Sequence, residues 1–375
     1  MSRPLGTPCV IFLDDHRWAT FNQLSPLLRR AGVRTVRITT MVQARSKITS
    51  RLLYDRFEVL PVTHTVEALR RIIVSENVVD IQFVESLKGT VDLILIYLET
   101  TVANRVERRL SMTDKFAASR LLSGAGIRTP AVLAFADATP EEAKAKFGLP
   151  LVVKERTGGG GGSVVIAHDD VTLRSAAAAH ESNPEETYYE EFIAGEKLNY
   201  GAAFSVERLE QELSYRITRW EQPVGTAMEV EVIWDEQLAC FGRSAVRVSG
   251  CTGLINMDFV RDSQGQDWLV DFNARTFAGV ASFRGAAIDL SQGYLRSLGL
   301  RIVPPEVVRP SASAKIRIFP TCLSPNIESG RITQTVVAYL FEARQYARWL
   351  GVRYWLSEAL TTADALRIEH RRLRR

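Results

Sequence analysis

The 375-residue chain is short of the residues that build metal clusters and covalent catalysts. Its four cysteines, Cys9, Cys240, Cys251 and Cys322, are far apart and form no CxxC pair, so they read as reduced thiols. No histidine stands in a motif-like context near a cysteine, and no Ser-His or Cys-His nucleophile is evident. No run approaches the ~18 uncharged apolar residues of a membrane span. The first apolar run, "CVIFL", is too short for a secretory signal, and a cytoplasmic protein is expected. The net charge of +4 is small for this length and argues against a dedicated nucleic-acid binder. No GxGxxG follows the first apolar run, which removes the main support for a dinucleotide fold. Lysine is scarce beside arginine, so each lysine is the more informative.

What is present reads as a multidomain α/β and α+β protein. The length suggests two or three structural units. In the first third, "CVIFLDD", "VRTVRITT", "FEVLPV", "VVDIQFV" and "VDLILIYL" read as strands, with "FNQLSPLLRRAG" and "TVEALRRIIVSEN" as helices between them. Near-continuous apolar strands alternating with helices imply a parallel sheet. From Thr101, "NRVERRLSMTDKFAASRLLSGAG" reads as a long helical stretch broken near Ser111. Thr139 caps a short helix that has Pro140 at its first position. "LPLVVKER", five glycines and "SVVIAHD" read as strand, loop, strand, followed by a helix and the strand "TYYEEFIAG". Residues 200–273 read mostly as antiparallel strands, and the chain closes with the strand "AKIRIFP" and a helical tail. The expected units are 1–108, 109–195, 196–310 and 311–375.

Gly158 to Gly162 are not a P-loop, because no Gly-Lys-Ser/Thr and no helix follow them. Two strands joined by a glycine loop can instead form a flap. Its bare backbone at Gly159, Gly160, Gly161, Gly162 and Ser163 could offer N–H donors to a polyphosphate. Lys154, at the end of the first strand, would carry positive charge beneath it. A mobile hairpin loop without a ligand is the alternative.

The second informative stretch is "GLINMDFVRDSQGQDWLVDFNAR", residues 253–275. A two-residue turn at Gln264-Gly265 puts Asp258 opposite Asp271, and the period of two keeps Asn273 and Arg275 on the same face. Two carboxylates and a carboxamide oxygen suit Mg²⁺, with Mn²⁺ as another hard cation, completed by water and phosphate oxygens. Arg275 would grip a phosphate or a developing negative charge. The alternative is a solvated face with an Asp–Arg pair, although facing carboxylates repel unless a cation lies between them.

Four stretches in this order, "DKFAASRLLSGAGIRTP", "LPLVVKERTGGGGGSVV", "YYEEFIAGE" and the carboxylate hairpin, resemble the ATP-grasp superfamily, within it the carboxylate–amine ligases and carbamoyl-phosphate-synthase-like proteins. The resemblance covers roughly residues 5 to 300. It implies an N-terminal α/β domain, a small flap-bearing domain and an antiparallel sheet domain, with ATP between the last two. It implies that Lys115 and Lys154 are the nucleotide lysines. Glu190, Glu191, Phe192 and Ile193 match the hinge that reads adenine through its backbone. Asp258, Asp271 and Asn273 match the metal ligands, and Arg275 the phosphate-side arginine. The implied reaction phosphorylates a carboxylate and lets an amine attack the acyl phosphate, with Arg275 and Lys154 as catalytic groups. Three positions depart from the pattern. Lys197 stands where an acid holds ribose, leaving Glu196, one residue early, as the candidate. Asp271 replaces the commoner Glu. Met257 stands where several ligases have an arginine, so Arg275, Arg284 and Arg219 are candidates for its role.

The partners expected are a small-molecule carboxylate and an amine, with no nucleic acid and no membrane. Tyr97–Thr101 at a strand end, Ser282, Arg284, Glu229 and Glu231 are candidate substrate contacts. The helix "VVAYLFEARQYARWLG" reads as core or as a homodimer interface, and the tail "RIEHRRLRR" as a solvated helix end. Carboxy- or carbamoyl-phosphate chemistry and a non-catalytic nucleotide-binding regulator are the alternative functions.

Overall fold

The computed structural model describes residues 6–14, 19–40, 46–158, 162–206, 208–220, 227–300, 313–323, 327–329 and 331–373. The chain opens with β1 (Pro8–Asp14), α1 (Ala19–Arg30), β2 (Arg34–Thr39), α2 (Ser46–Leu53), β3 (Arg56–Val59), α3 (Val62–Ser75), β4 (Asn77–Phe83), α4 (Lys88–Ile94) and α5 (Thr100–Ser111). The four strands form a parallel sheet in the order β3-β2-β1-β4. Cys9 to Leu13 are buried on both faces of β1, which is why that strand reads as an unbroken apolar run.

The stretch "VDLILIYL" corrects the sequence reading. It lies in α4 and a 3-10 turn, Leu95–Tyr97, not in a strand. Short apolar runs carry no period that separates strand from helix. Here Val91 and Ile94 face the core while Leu93 and Ile96 are exposed. Tyr97–Thr101 therefore leads into α5 and is not a strand end. Two further helices go beyond the sequence reading: α2, and α9 (Glu236–Ser249) within the stretch read as strands.

The small unit comprises α6 (Lys115–Gly124), β5 (Val132–Ala134), α7 (Pro140–Phe147), β6 (Leu151–Glu155), β7 (Val164–Ala167), α8 (Asp170–His180) and β8 (Thr187–Glu191). Its antiparallel sheet runs β5-β8-β6-β7 and packs Leu151, Val153 and Tyr189 against Ala143 of α7 and Leu173 of α8. The α5–α6 break falls where the sequence placed it, with Asp114 accepting from the Ala117 N–H to cap α6. Thr139 and Glu142 form a reciprocal capping box on α7.

The large sheet contains β9 (Glu196–Phe204), β10 (Leu209–Trp220), β11 (Ala227–Ile233), β12 (Gly253–Arg261), β13 (Asp267–Asn273) and, after α10 (Leu290–Ser297), β14 (Ala314–Arg317). It is antiparallel in the order β13-β12-β9-β10-β11-β14. One face buries Leu198, Tyr200, Ile255, Met257 and Phe259 against α6 and α9. The other carries Ala203, Leu213, Tyr215 and Val232 into a core continuous with the parallel sheet. The closing helices α11 (Ile332–Leu350) and α12 (Val352–Leu373) add Tyr339, Tyr346, Leu350 and Tyr354 to that core. No described helix is long and apolar enough to cross a membrane.

Candidate active site

The site is built first by the β12–β13 hairpin. Asp258 pairs with Asp271, but not through the turn that the sequence suggested. Arg261 pairs with Asp267 around a wider loop, in which the Asp262 N–H donates to the Gln266 carbonyl. That register would place Asp258 opposite Val270, one residue short of Asp271. A β-bulge between Asp258 and Phe259 restores the match by giving β13 one extra residue, Val270. The Val270 carbonyl then accepts from Lys154 Nζ at 2.9 Å.

The two carboxylates face each other inside the protein, and their environments separate them. Burial and the neighbouring Asp271 charge push Asp258 up to about 6. Burial would raise Asp271 as well, but the ammonium groups of Lys115 and Lys154 outweigh it and take Asp271 down to about 2. Lys115 Nζ donates to Asp271 Oδ1 at 2.8 Å, and Asn273 Nδ2 donates to Asp271 Oδ2 at 2.8 Å. Asp258 Oδ1 accepts from Asn199 Nδ2 at 2.5 Å and from Asn256 Nδ2 at 3.2 Å. Tyr215 Oη holds Asn256 in turn, at 2.7 Å from its Oδ1. The carboxylates are thus oriented by amides and a lysine, as metal-ligating carboxylates are.

Arg275 lies beyond Asn273, as the period of two requires. Its Nη2 donates to Asn273 Oδ1 at 3.2 Å, and its Nε reaches Glu85 Oε1 of the first unit at 2.5 Å. Gln82 reinforces this junction: its Oε1 accepts from both the N–H and the hydroxyl of Thr276 at 3.1 Å. Glu85, Gln82, Asn199 and Asn256 were not singled out in the sequence. No local motif marks them; pairing between distant strands brings them to the carboxylates.

A cavity of about 300 Å³ opens between the small and large sheets, within the size range of small-molecule sites. Lys115, Lys154, Ser163, Glu190, Glu191, Phe192, Ile193, Asp258, Asp271, Asn273 and Arg275 all line it. Lys154, on β6, donates from its Nζ to Glu190 Oε1 at 2.8 Å. Glu190 thus contributes a buried side chain that engages Lys154, besides its expected place in the hinge strand. Gly158 has φ +128°, a conformation open to glycine. Gly162 is described but does not line the cavity, and Gly159, Gly160 and Gly161 lie outside the described residues.

Several other candidates stand elsewhere. Glu196 does not line the cavity. Alternation along β9 turns it to the opposite face, where Arg216 pairs with it at 3.2 Å and with Glu231 at 2.8 Å. Lys197 takes the cavity side, its ammonium over the Trp220 ring at 4.8 Å. Glu229 accepts from Thr218 Oγ1. Ser282 is buried and bonded to Tyr346, and Arg284 pairs with Asp289 at 2.5 Å; neither lines the cavity. Arg219 lies on β10 outside the cavity lining.

The donor set fits a hard divalent cation. Two carboxylates and a carboxamide converge, and Asp258 is raised by burial and then by the like charge of Asp271, which a cation would offset. No protein-family profile and no curated protein sequence matches the chain. Solved structures do. Carboxyaminoimidazole ribonucleotide synthase from Aspergillus clavatus, complexed with ATP, aligns at TM-score 0.67 and 12% identity over 83% of this chain and 81% of that one. L-amino acid ligase from Bacillus licheniformis aligns at TM-score 0.62 and 16% identity over 84% and 81%. The biotin carboxylase domain of Hydrogenobacter thermophilus 2-oxoglutarate carboxylase, in complex with MgADP, ADP and bicarbonate, aligns at 0.63 and 14% over 81% and 73%. The chain has the ATP-grasp fold.

Proposed function

We propose that the protein is an ATP- and Mg²⁺-dependent ligase that activates a small-molecule carboxylate and joins it to an amine. The observation that carries this reading is the convergence in one cavity of Lys115, Lys154 and Arg275 with Asp258, Asp271 and Asn273. Three cations over a hard-oxygen metal set suit a polyphosphate and little else. Mg²⁺ held by Asp258, Asp271 and Asn273 would neutralise charge on the phosphate oxygens.

In the first step a substrate carboxylate oxygen attacks the γ-phosphorus, the bond to the bridging oxygen breaks, and ADP leaves. In the second the amine attacks the acyl carbon and phosphate leaves with the bonding pair. The proton that the amine gives up passes to the departing phosphate. Lys154 and Arg275 hold the transferring group in line and balance its charge, so the chain supplies no covalent nucleophile. Arg275 comes pre-aligned by Glu85, so the first unit contributes directly to the phosphate end.

The test is phosphate release across a panel of carboxylic acids crossed with amines, with mass spectrometry of the products. ADP, phosphate and an amide are expected; AMP and pyrophosphate would overturn the acyl-phosphate route. The neighbours whose names specify carboxylation favour a second reading, in which bicarbonate is the acid activated. Bicarbonate-dependent ATP hydrolysis with no organic acid would select it.

A further inference from the structure

Position along β9 fixes what lies at each point of the cavity. Asn199 donates to Asp258 and so marks the metal end. Lys197 is two residues earlier on the same face, about 7 Å back toward the hinge residues Glu191 to Ile193. Lys197 therefore stands on β9 between the hinge and Asn199, the interval of the cavity that the sugar and first phosphate of a nucleotide would span. Lys197 and Trp220 both line the cavity, and the indole face lies 4.8 Å from Lys197 Nζ, which restricts where that charge can sit. The neighbouring carboxylate, Glu196, is directed to the opposite face and held by Arg216.

We infer that Lys197, seated on Trp220, is a specificity-determining residue that recognises the nucleotide by charge and does not select for its 2′-hydroxyl. This rests on the nucleotide reading above. An ammonium has three donors and no acceptor, so it can donate to one hydroxyl oxygen but cannot take the hydrogens of a sugar diol in the paired way a carboxylate does. It can take a phosphate oxygen in a charge-assisted bond. Removing the 2′-hydroxyl should then cost little, while removing the lysine charge should weaken every nucleoside triphosphate alike.

The test is calorimetric titration of ATP and 2′-deoxy-ATP, each with Mg²⁺, into the full chain and its Lys197→Met and Lys197→Glu variants. The wild-type protein should bind the two nucleotides within about threefold of each other. Lys197→Met should weaken both by about tenfold together, the loss of one charge-assisted bond. Lys197→Glu should bind both more weakly and prefer ATP by tenfold or more, because a diol acceptor now stands at that position. A wild-type preference for ATP of tenfold or more would overturn the inference. So would an unmoved ATP affinity in Lys197→Met, or an unchanged ratio in Lys197→Glu. If the wild-type protein binds neither nucleotide, the nucleotide reading itself falls, and this inference with it.

Discussion

At the scale of single residues, the chemistry depends on side chains held by other side chains. Asn199 and Asn256 both donate to Asp258 Oδ1 and set its orientation. Partners of this kind carry about 10–100-fold in metal affinity. Asn199→Ala should weaken Mn²⁺ binding in the presence of ADP by that factor, read by calorimetry, with little change in unfolding midpoint. Glu358 illustrates a buried carboxyl of another kind. It is 1% exposed on α12 near Tyr54, Tyr339 and Tyr354, and burial pushes it up from 4.5 to about 7. The folded state holds this proton more tightly than the unfolded chain does. Its contribution is therefore fully present below pH 4.5 and lost as the pH rises through 7. Glu358→Gln should leave stability nearly unchanged near pH 4.5 and raise it by up to about 3 kcal/mol at pH 8. Urea unfolding at the two pH values measures the difference; equal stability gains at both would refute it.

At the scale of elements, the bulge in β13 and the approach of the hinge to β12 set the site. The bulge brings Asp271 opposite Asp258 and frees the Val270 carbonyl for Lys154. Gly195, which follows the hinge, lies so close to β12 that a Cβ there would stand 2.0 Å from the Arg261 carbonyl oxygen. That neighbour is backbone in a paired strand and cannot turn aside. Gly195→Ala should displace the hinge, cost about 1–3 kcal/mol as overpacking does, and weaken ATP binding. Unfolding and nucleotide titration on one preparation check both. A variant as stable as the wild-type protein would show that the strand yields.

At the scale of the whole molecule, a buried ion pair and its hydrogen bonds to Thr252 and Tyr294 tie the first unit to the large sheet and α10. Arg109 of α5 is 2% exposed, bonds Asp80 of β4 at 2.6 Å, and also reaches the carbonyls of Ile81 and, before β12, Thr252. Tyr294 of α10 donates to the same Asp80, and Gln82 continues the network to Thr276, next to Arg275. Removing one member of such a pair leaves a buried charge and costs about 3–5 kcal/mol. Arg109→Met should lose that much in urea unfolding, and adding Asp80→Leu should recover part of it. A loss under 1 kcal/mol would mean that water or another group compensates the Asp80 charge.

The sequence by itself determined the local chemistry. The glycine-flanked strands, the hairpin that carries Asp258 and Asp271 and the order of the motifs were legible, because hairpins and alternation are properties of neighbouring residues. The parallel sheet was legible from near-continuous apolar runs alternating with helices, and the closing helices from their helical spacing. The helix at residues 88–94 was not, since a short apolar run has no distinguishing period; α9 was passed over among strands although Asp235, Gly250 and its helical spacing mark it. Tertiary structure alone decided what depends on pairing between distant segments. The bulge fixed the register that faces the two carboxylates. The β9–β12 ladder brought Asn199 to Asp258, and the first unit supplied Glu85 to Arg275. The face of β9 turned Glu196 away and left Lys197 at the cavity, because adjacent residues of a strand cannot point the same way.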